Sequence, residues 1–245
     1  MGTDAGLLAA TAAAAAVLVG CNVNTAAGVP AVAAEALQSD IASRFADAGQ
    51  HAQAVTCKDP LVGEVGQTAR CEVILSETNS FEPIVTVVAV NGSAIDYELV
   101  PALSTEQLER AVARLSVESG GPPVDGVDCE TGLVGQIGEV TRCAVTTAGT
   151  TLRRTAEVTG VDGLTMNFDL VPMLTKVEVE NSLLDELARH LNRRPETALC
   201  TGDLEGRPGN TVDCAVTDGP ERAAFILTVT AVDGDHIDYS YAPRG

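Results

Sequence analysis

Seven cysteines carry most of the reactive chemistry of this chain. Six of them form the pairs Cys57/Cys71, Cys129/Cys143 and Cys200/Cys214, each with thirteen residues between its members, and Cys21 is left over. Paired thiols can hold a metal, exchange electrons or close a disulfide. The spacing is far from the two to four residues that bring two cysteines onto one zinc ion, so neither a metal site nor a cofactor is expected. The three histidines, His51, His190 and His236, fall at unrelated points of the chain, and no Ser/His/Asp or Cys/His arrangement emerges from their order or spacing. The run Asp233-Gly-Asp235-His236-Ile-Asp238 has acidic groups but lacks the glycine and terminal glutamate placement of a calcium loop. No catalytic residue is nominated, and the expectation is a protein that is not an enzyme.

Arg189, Arg193 and Arg194, with His190 among them, form the one dense basic cluster. At a helix C-terminus such cations complement the dipole; as a site they would meet an anionic lipid headgroup or cell-wall polymer. The rest of the chain is acidic, with a formal charge of −19. Such a surface repels phosphate backbones, which argues against a nucleic-acid partner.

Cys21 follows an apolar stretch, residues 5–20, that is rich in alanine and ends Leu18-Val19-Gly20. That length suits a signal peptide better than a membrane span. The stretch resembles a bacterial lipobox, which implies cleavage before Cys21 and a lipid on its thiol. Residues 1–20 are then a signal peptide and 21–30 a lipidated tether. The start, Met1-Gly-Thr-Asp4, has no Lys or Arg, a departure from the usual positive n-region.

The cysteine pairs belong to a longer repeat of about 70 residues. Each copy opens with a helical stripe: Leu37, Ile41 and Phe45; Leu108, Val112 and Leu115; Leu183, Leu187 and Leu191. Ser104-x-x-Gln107 and Thr175-x-x-Glu178 are capping-box starts for the second and third helices. A shared loop frame follows: Leu61-x-Gly63-x-Val65-Gly66, Leu133-x-Gly135-x-Ile137-Gly138 and Leu204-x-Gly206-x-Pro208-Gly209. Both glycines of each frame are expected at positive φ, in a turn between two strands. Asn91-Gly92, Asp162-Gly163 and Asp233-Gly234 predict type I′ hairpins. Tyr97, Phe168 and Tyr239 share one position of the last strand and are expected in the core. Pro101, Pro172 and Pro243 close the copies.

The expected fold is α+β: three tandem modules, 31–101, 102–172 and 173–245, each an amphipathic helix on a roughly four-stranded antiparallel sheet. One disulfide in each would join the first strand to the second. Such small modules gain about 3 kcal/mol from closing a 15-residue loop, in the oxidising compartment that a signal peptide implies.

The cysteine spacing, the glycine frame, the Thr-Val-Thr-Ala-Val-Asp-Gly hairpin (228–234) and the lipobox together resemble a family of secreted domains of unknown function. That family occurs in mycobacterial and related actinobacterial envelope lipoproteins and membrane-anchored proteins. The resemblance spans nearly all of 31–243 and implies an extracytoplasmic place, with no catalytic residues. The expected function is a binding or scaffolding lipoprotein of the cell envelope, anchored on the outer face of the cytoplasmic membrane through Cys21. Its partner would be an envelope protein, polymer or lipid. Two alternatives stand: a lipid or glycolipid carrier with a groove between modules, and an inhibitor of an extracellular hydrolase.

Overall fold

The computed structural model describes residues 28–76, 79–118 and 120–244. They form an α+β protein, mostly sheet, with three helices among the described residues. In chain order the first elements are β1 (Ala31–Val32), α1 (Ala34–Asp47), β2 (Ala54–Cys57), β3 (Leu61–Val62), β4 (Thr68–Ser76), β5 (Asn79–Phe81), β6 (Ile84–Asn91) and β7 (Ala94–Val100). Next come β8 (Ala102–Leu103), α2 (Thr105–Glu118), β9 (Gly126–Cys129), β10 (Leu133–Val134), β11 (Val140–Thr147), β12 (Thr150–Asp162) and β13 (Thr165–Leu174). The last are α3 (Lys176–Leu191), β14 (Thr197–Cys200), β15 (Leu204–Glu205), β16 (Thr211–Asp218), β17 (Glu221–Asp233) and β18 (His236–Pro243).

Each helix lies over its own apolar cluster. α1 buries Leu37, Ile41 and Phe45, as its spacing predicts. In α2 the buried row is Leu108, Val112 and Ser116, and in α3 it is Val179, Leu183, Leu184 and Leu187. Leu115 is therefore only half-buried and Leu191 is exposed. The α3 stripe sits one turn earlier than expected, because Asn192 ends the helix in the left-handed conformation at φ 56° and leaves Leu191 in its fraying last turn. Both capping boxes form. The Thr175 hydroxyl accepts from the Glu178 N–H while the Glu178 carboxylate accepts from the Thr175 N–H, and Ser104 and Gln107 do the same. Such a cap contributes about 1 kcal/mol.

The sheets are antiparallel. Their orders are β2-β4-β6-β7 with β5 beside β4, β15-β13-β12-β11-β9, and β14-β16-β17-β18. In each, the two cysteines are direct cross-strand partners: Cys57 opposite Cys71, Cys129 opposite Cys143, Cys200 opposite Cys214. All three pairs are disulfides and all six residues are buried. Alternation then places Ala69, Val73, Val85 and Val87 in the first core, with their neighbours facing outward.

The two glycines of the loop frame do different things. Gly66, Gly138 and Gly209 take positive φ as expected, at 89°, 87° and 93°. Gly63, Gly135 and Gly206 do not. Each instead donates its N–H to a proline carbonyl, Pro30, Pro101 and Pro172 respectively, at 2.7, 2.7 and 2.8 Å. A Cβ on Gly135 would lie 2.6 Å from the Pro101 carbonyl oxygen, so glycine is required by close approach and not by φ. The prolines thus belong to short ladders that the sequence reading lacked, β1 with β3, β8 with β10, and the end of β13 with β15. Each ladder joins the residues just before a helix to those just after its first cysteine.

The hairpin turns also differ from expectation. Asn91 pairs with Ala94, Asp162 with Thr165 and Asp233 with His236, so the turn residues are Gly92-Ser93, Gly163-Leu164 and Gly234-Asp235. Only the glycines have positive φ, the pattern of type II′ and not I′.

The first sheet carries an irregularity of its own. β12 and β17 each run thirteen residues unbroken, whereas Glu82-Pro83 splits the corresponding stretch into β5 and β6. Proline has no N–H for a ladder, and the Glu82 N–H turns away to the Ala102 carbonyl at 2.7 Å. β5 is thereby drawn toward β8 and α2.

Gly135→Ala is expected to destabilise the fold by about 1–3 kcal/mol, measured by denaturant unfolding. Gly126→Ala, where a Cβ meets nothing within 4 Å and φ is not positive, should change stability by less than about 0.5 kcal/mol. Equal effects of the two would refute the close-approach account.

Candidate binding groove

α1 and α3 are each tied to the last strand of their sheet by a polar contact. The Tyr97 hydroxyl donates to the Asp40 carboxylate at 2.9 Å, and Tyr239 and Ser182 hydroxyls meet at 2.6 Å, both pairs 57 residues apart in sequence. The same separation in the middle of the chain pairs Ala111 of α2 with Phe168 of β13. No such bond can form there, and both residues line a groove between α2, β5 and the β12–β13 hairpin.

The groove has two lobes, of about 240 and 380 Å³. Phe45, Gln50, Leu164 and Thr165 line both, so the lobes meet around the hairpin tip. Phe45 and Phe81 form a tilted ring pair with centroids 5.3 Å apart on its floor. Leu75 adds to the wall; it lies where β4 slips register between Ile74 and Ser76. Leu164 packs against the core that α1 covers. Charge enters through Arg110 and Arg114 in the smaller lobe and through Arg44 and Asp162 in the larger. Arg110 also reaches across to the Ser80 hydroxyl of β5 at 3.4 Å.

At the next junction the equivalent hairpin tip meets ions instead of an apolar floor. Asp235 pairs with Arg154 at 2.5 Å, Arg207 pairs with Glu157, and the Thr155 hydroxyl donates to Glu205 at 3.1 Å. Pro83, Leu75 and Ala111 were not singled out by the sequence reading. Their signal was available as departures from the repeated pattern: counted back from the hairpin glycine, Pro83 stands at the position that Arg154 holds in β12 and Phe225 in β17.

The residues nominated from the sequence are not gathered at this groove. Cys21 lies outside the described residues. The six paired cysteines are buried inside three separate cores. Arg189 pairs with Glu186 at 3.0 Å, Arg194 with Asp185 at 2.7 Å, and Arg193 with Asp218, so each guanidinium of the basic cluster already faces a carboxylate. His190 and His236 are exposed beside Glu186 and Asp238, and His51 is exposed far from both in sequence. Among the described residues no group of three or more His, Cys, Asp or Glu is arranged to hold a metal, and no helix is long and apolar enough to cross a membrane. Tyr97, Phe168 and Tyr239 pack against the cores as half-buried residues.

Two stretches, 16–92 and 85–163, match the family described as a domain of unknown function, DUF4333. The chain belongs to this family. Both family matches end at a hairpin glycine, Gly92 and Gly163, inside the spans expected for the modules and before the prolines that were expected to close them. The groove is lined by residues of both matched stretches and by Leu164, Thr165, Met166 and Phe168 just past the second. No curated protein and no solved structure matches the chain.

Burial, reinforced by the Asp40 carboxylate, pushes the Tyr97 hydroxyl from 10.0 up to about 12. A phenol whose folded pKa is raised stabilises the fold below its unfolded pKa and loses that contribution as pH rises through the folded value. Absorbance titration at 295 nm should therefore show one tyrosine ionising near pH 12 that disappears in Tyr97→Phe, and the variant should lose less stability than the parent between pH 10 and 12. Identical titration curves for the two proteins would contradict the assignment.

Proposed function

We propose that the chain is a non-enzymatic lipoprotein of the cell envelope, built as three tandem copies of one α+β module. It is held on the outer face of the cytoplasmic membrane by a lipid on Cys21, and it acts as a binding or scaffolding arm. Support for the repetition comes from the two matches to one family domain and from the loop hydrogen bonds. Gly66, Gly138 and Gly209 donate to Val87, Val158 and Val229, and each valine donates back to the following loop residue, all at 2.8–2.9 Å. Support for an extracytoplasmic place comes from three buried disulfides, which persist in oxidising compartments, and from the apolar stretch before Cys21. A bacterial, actinobacterial origin fits the composition and the lipobox.

The observation that carries a binding role is the groove at the first junction, with its apolar floor and cationic rim. It favours a lipid-binding variant of this reading over inhibition of a hydrolase, because the concavity would receive a ligand and does not project into one. The address is tested in a host that processes bacterial lipoproteins, by feeding an alkyne-bearing fatty acid and fractionating membranes. The parent protein should carry the label and sediment with membranes, and Cys21→Ser should be unlabelled and released. An unlabelled, released parent would overturn the lipoprotein reading. Crosslinking in intact cells should then recover an envelope partner with the parent protein.

A further inference from the structure

We propose that the groove at the first junction binds a single long acyl chain ending in an anionic head. The chain lies on Phe45, Phe81, Leu164 and Phe168 and the head lies at Arg110 and Arg114. This rests on the binding role proposed above and adds the ligand's chemical class.

Four observations converge on it. Phe45, Phe81, Leu164 and Phe168 give the groove an aromatic and aliphatic patch beside the polar Gln50, Asn79 and Gln107, and the polar pair that ties helix to strand at the other two positions is replaced by Ala111 and Phe168. The two lobes join end to end around Leu164, which suits an extended ligand, and their volumes of about 240 and 380 Å³ sit near the lower end of small-molecule sites. The sign of charge is also opposite to that of the protein. Acidic residues outnumber basic ones by 34 to 15, yet the charged residues lining the smaller lobe are both arginines. Finally, Arg110 is 55% exposed and its nearest carboxylate, Glu106, is 3.9 Å away. That is beyond hydrogen-bond length, so a headgroup can take its N–H groups without displacing a short pair. A guanidinium fork matches a carboxylate in two parallel bonds.

The test is isothermal titration of the purified full chain with dodecanoate, dodecan-1-ol and dodecyltrimethylammonium, each below its micelle concentration. Dodecanoate should bind saturably at one site, dodecanol at least tenfold more weakly, and the quaternary ammonium more weakly still. Decanoate, two methylenes shorter, should bind about tenfold more weakly than dodecanoate. Arg110→Glu should bring dodecanoate down to the affinity of dodecanol or below. Ala111→Trp should fill the groove and abolish binding of both, with Leu164→Glu at the hairpin tip as an independent block should the tryptophan disturb folding. Equal affinity for dodecanoate and dodecanol would overturn the role of the arginines. Undiminished binding in a folded Ala111→Trp or Leu164→Glu protein would overturn the placement. No dodecanoate binding at all would overturn the proposal while leaving the membrane address and the envelope partner to stand on labelling and crosslinking.

Discussion

A cystine at the centre of each core is the constraint on which the remaining structure depends. The chain has no tryptophan, three tyrosines and four phenylalanines, and it divides its apolar side chains among three clusters. Cores that small are marginal by area alone. A disulfide between directly opposed strand residues does two things at once: it fills the middle of the core and it fixes the strand register. Register decides which alternate residues face inward, so one covalent bond sets the burial of a whole face. α2 and α3 are registered against the same point, since the Cys129 and Cys200 N–H groups donate to Glu109 of α2 and Glu180 of α3 at 3.1 and 2.9 Å.

From that fixed point the loop frame sets where the preceding chain can run. Gly63, Gly135 and Gly206 bring a proline carbonyl to within hydrogen-bond reach, and the short ladder so formed delivers the chain into the next helix. In β13 the consequence is continuous. It pairs with β12 over most of its length and then with β15, so its sheet extends across the second junction. The register slip in the hairpins between Val87 and Ala89, and again at Val158/Gly160 and Val229/Ala231, occurs at the same step each time. It comes one residue after the valine that exchanges hydrogen bonds with the loop. Bulge and loop are thus one device, used to turn a strand end while its backbone groups remain satisfied.

Much of this was legible because it is local. Helix positions, cysteine pairing and the Asn-Gly and Asp-Gly hairpins depend on residues close in sequence, and they recur three times, which separates signal from accident. The misreadings came where a neighbouring segment decides the outcome. Gly135 cannot be told from Gly138 without knowing that Pro101 lies against it. The stripe of α3 could be extended to Leu191 only by ignoring the helix end at Asn192. An Asx-Gly pair leaves open whether the Asx is the first turn residue, as in type I′, or the last strand residue with the glycine opening the turn, as in type II′. The groove was invisible as a motif because none of its residues is a motif: Pro83 alters one strand, the extra residue at Leu75 alters its neighbour, and both matter only because α2 packs beside them.

The two junctions show how a repeated scaffold acquires individual chemistry. The same hairpin tip is Leu164 at the first and Asp235 at the second, and each meets a surface that matches it: the Phe45/Phe81 floor for the leucine, Arg154 for the aspartate. An ion pair at a partly exposed junction contributes little net stability, but Arg154 and Asp235 occupy the space between the hairpin tip and β12. At the first junction the side chains fall short of filling it, since Pro83 diverts β5 and Ala111 leaves the facing position of α2 small. The asymmetry comes from Pro83, Ala111 and Leu164, which stand where the matching positions carry polar or bulkier groups (Arg154 and Phe225, Asp40 and Ser182, Ser93 and Asp235), and it leaves a concavity at the first junction that ion pairs occupy at the second.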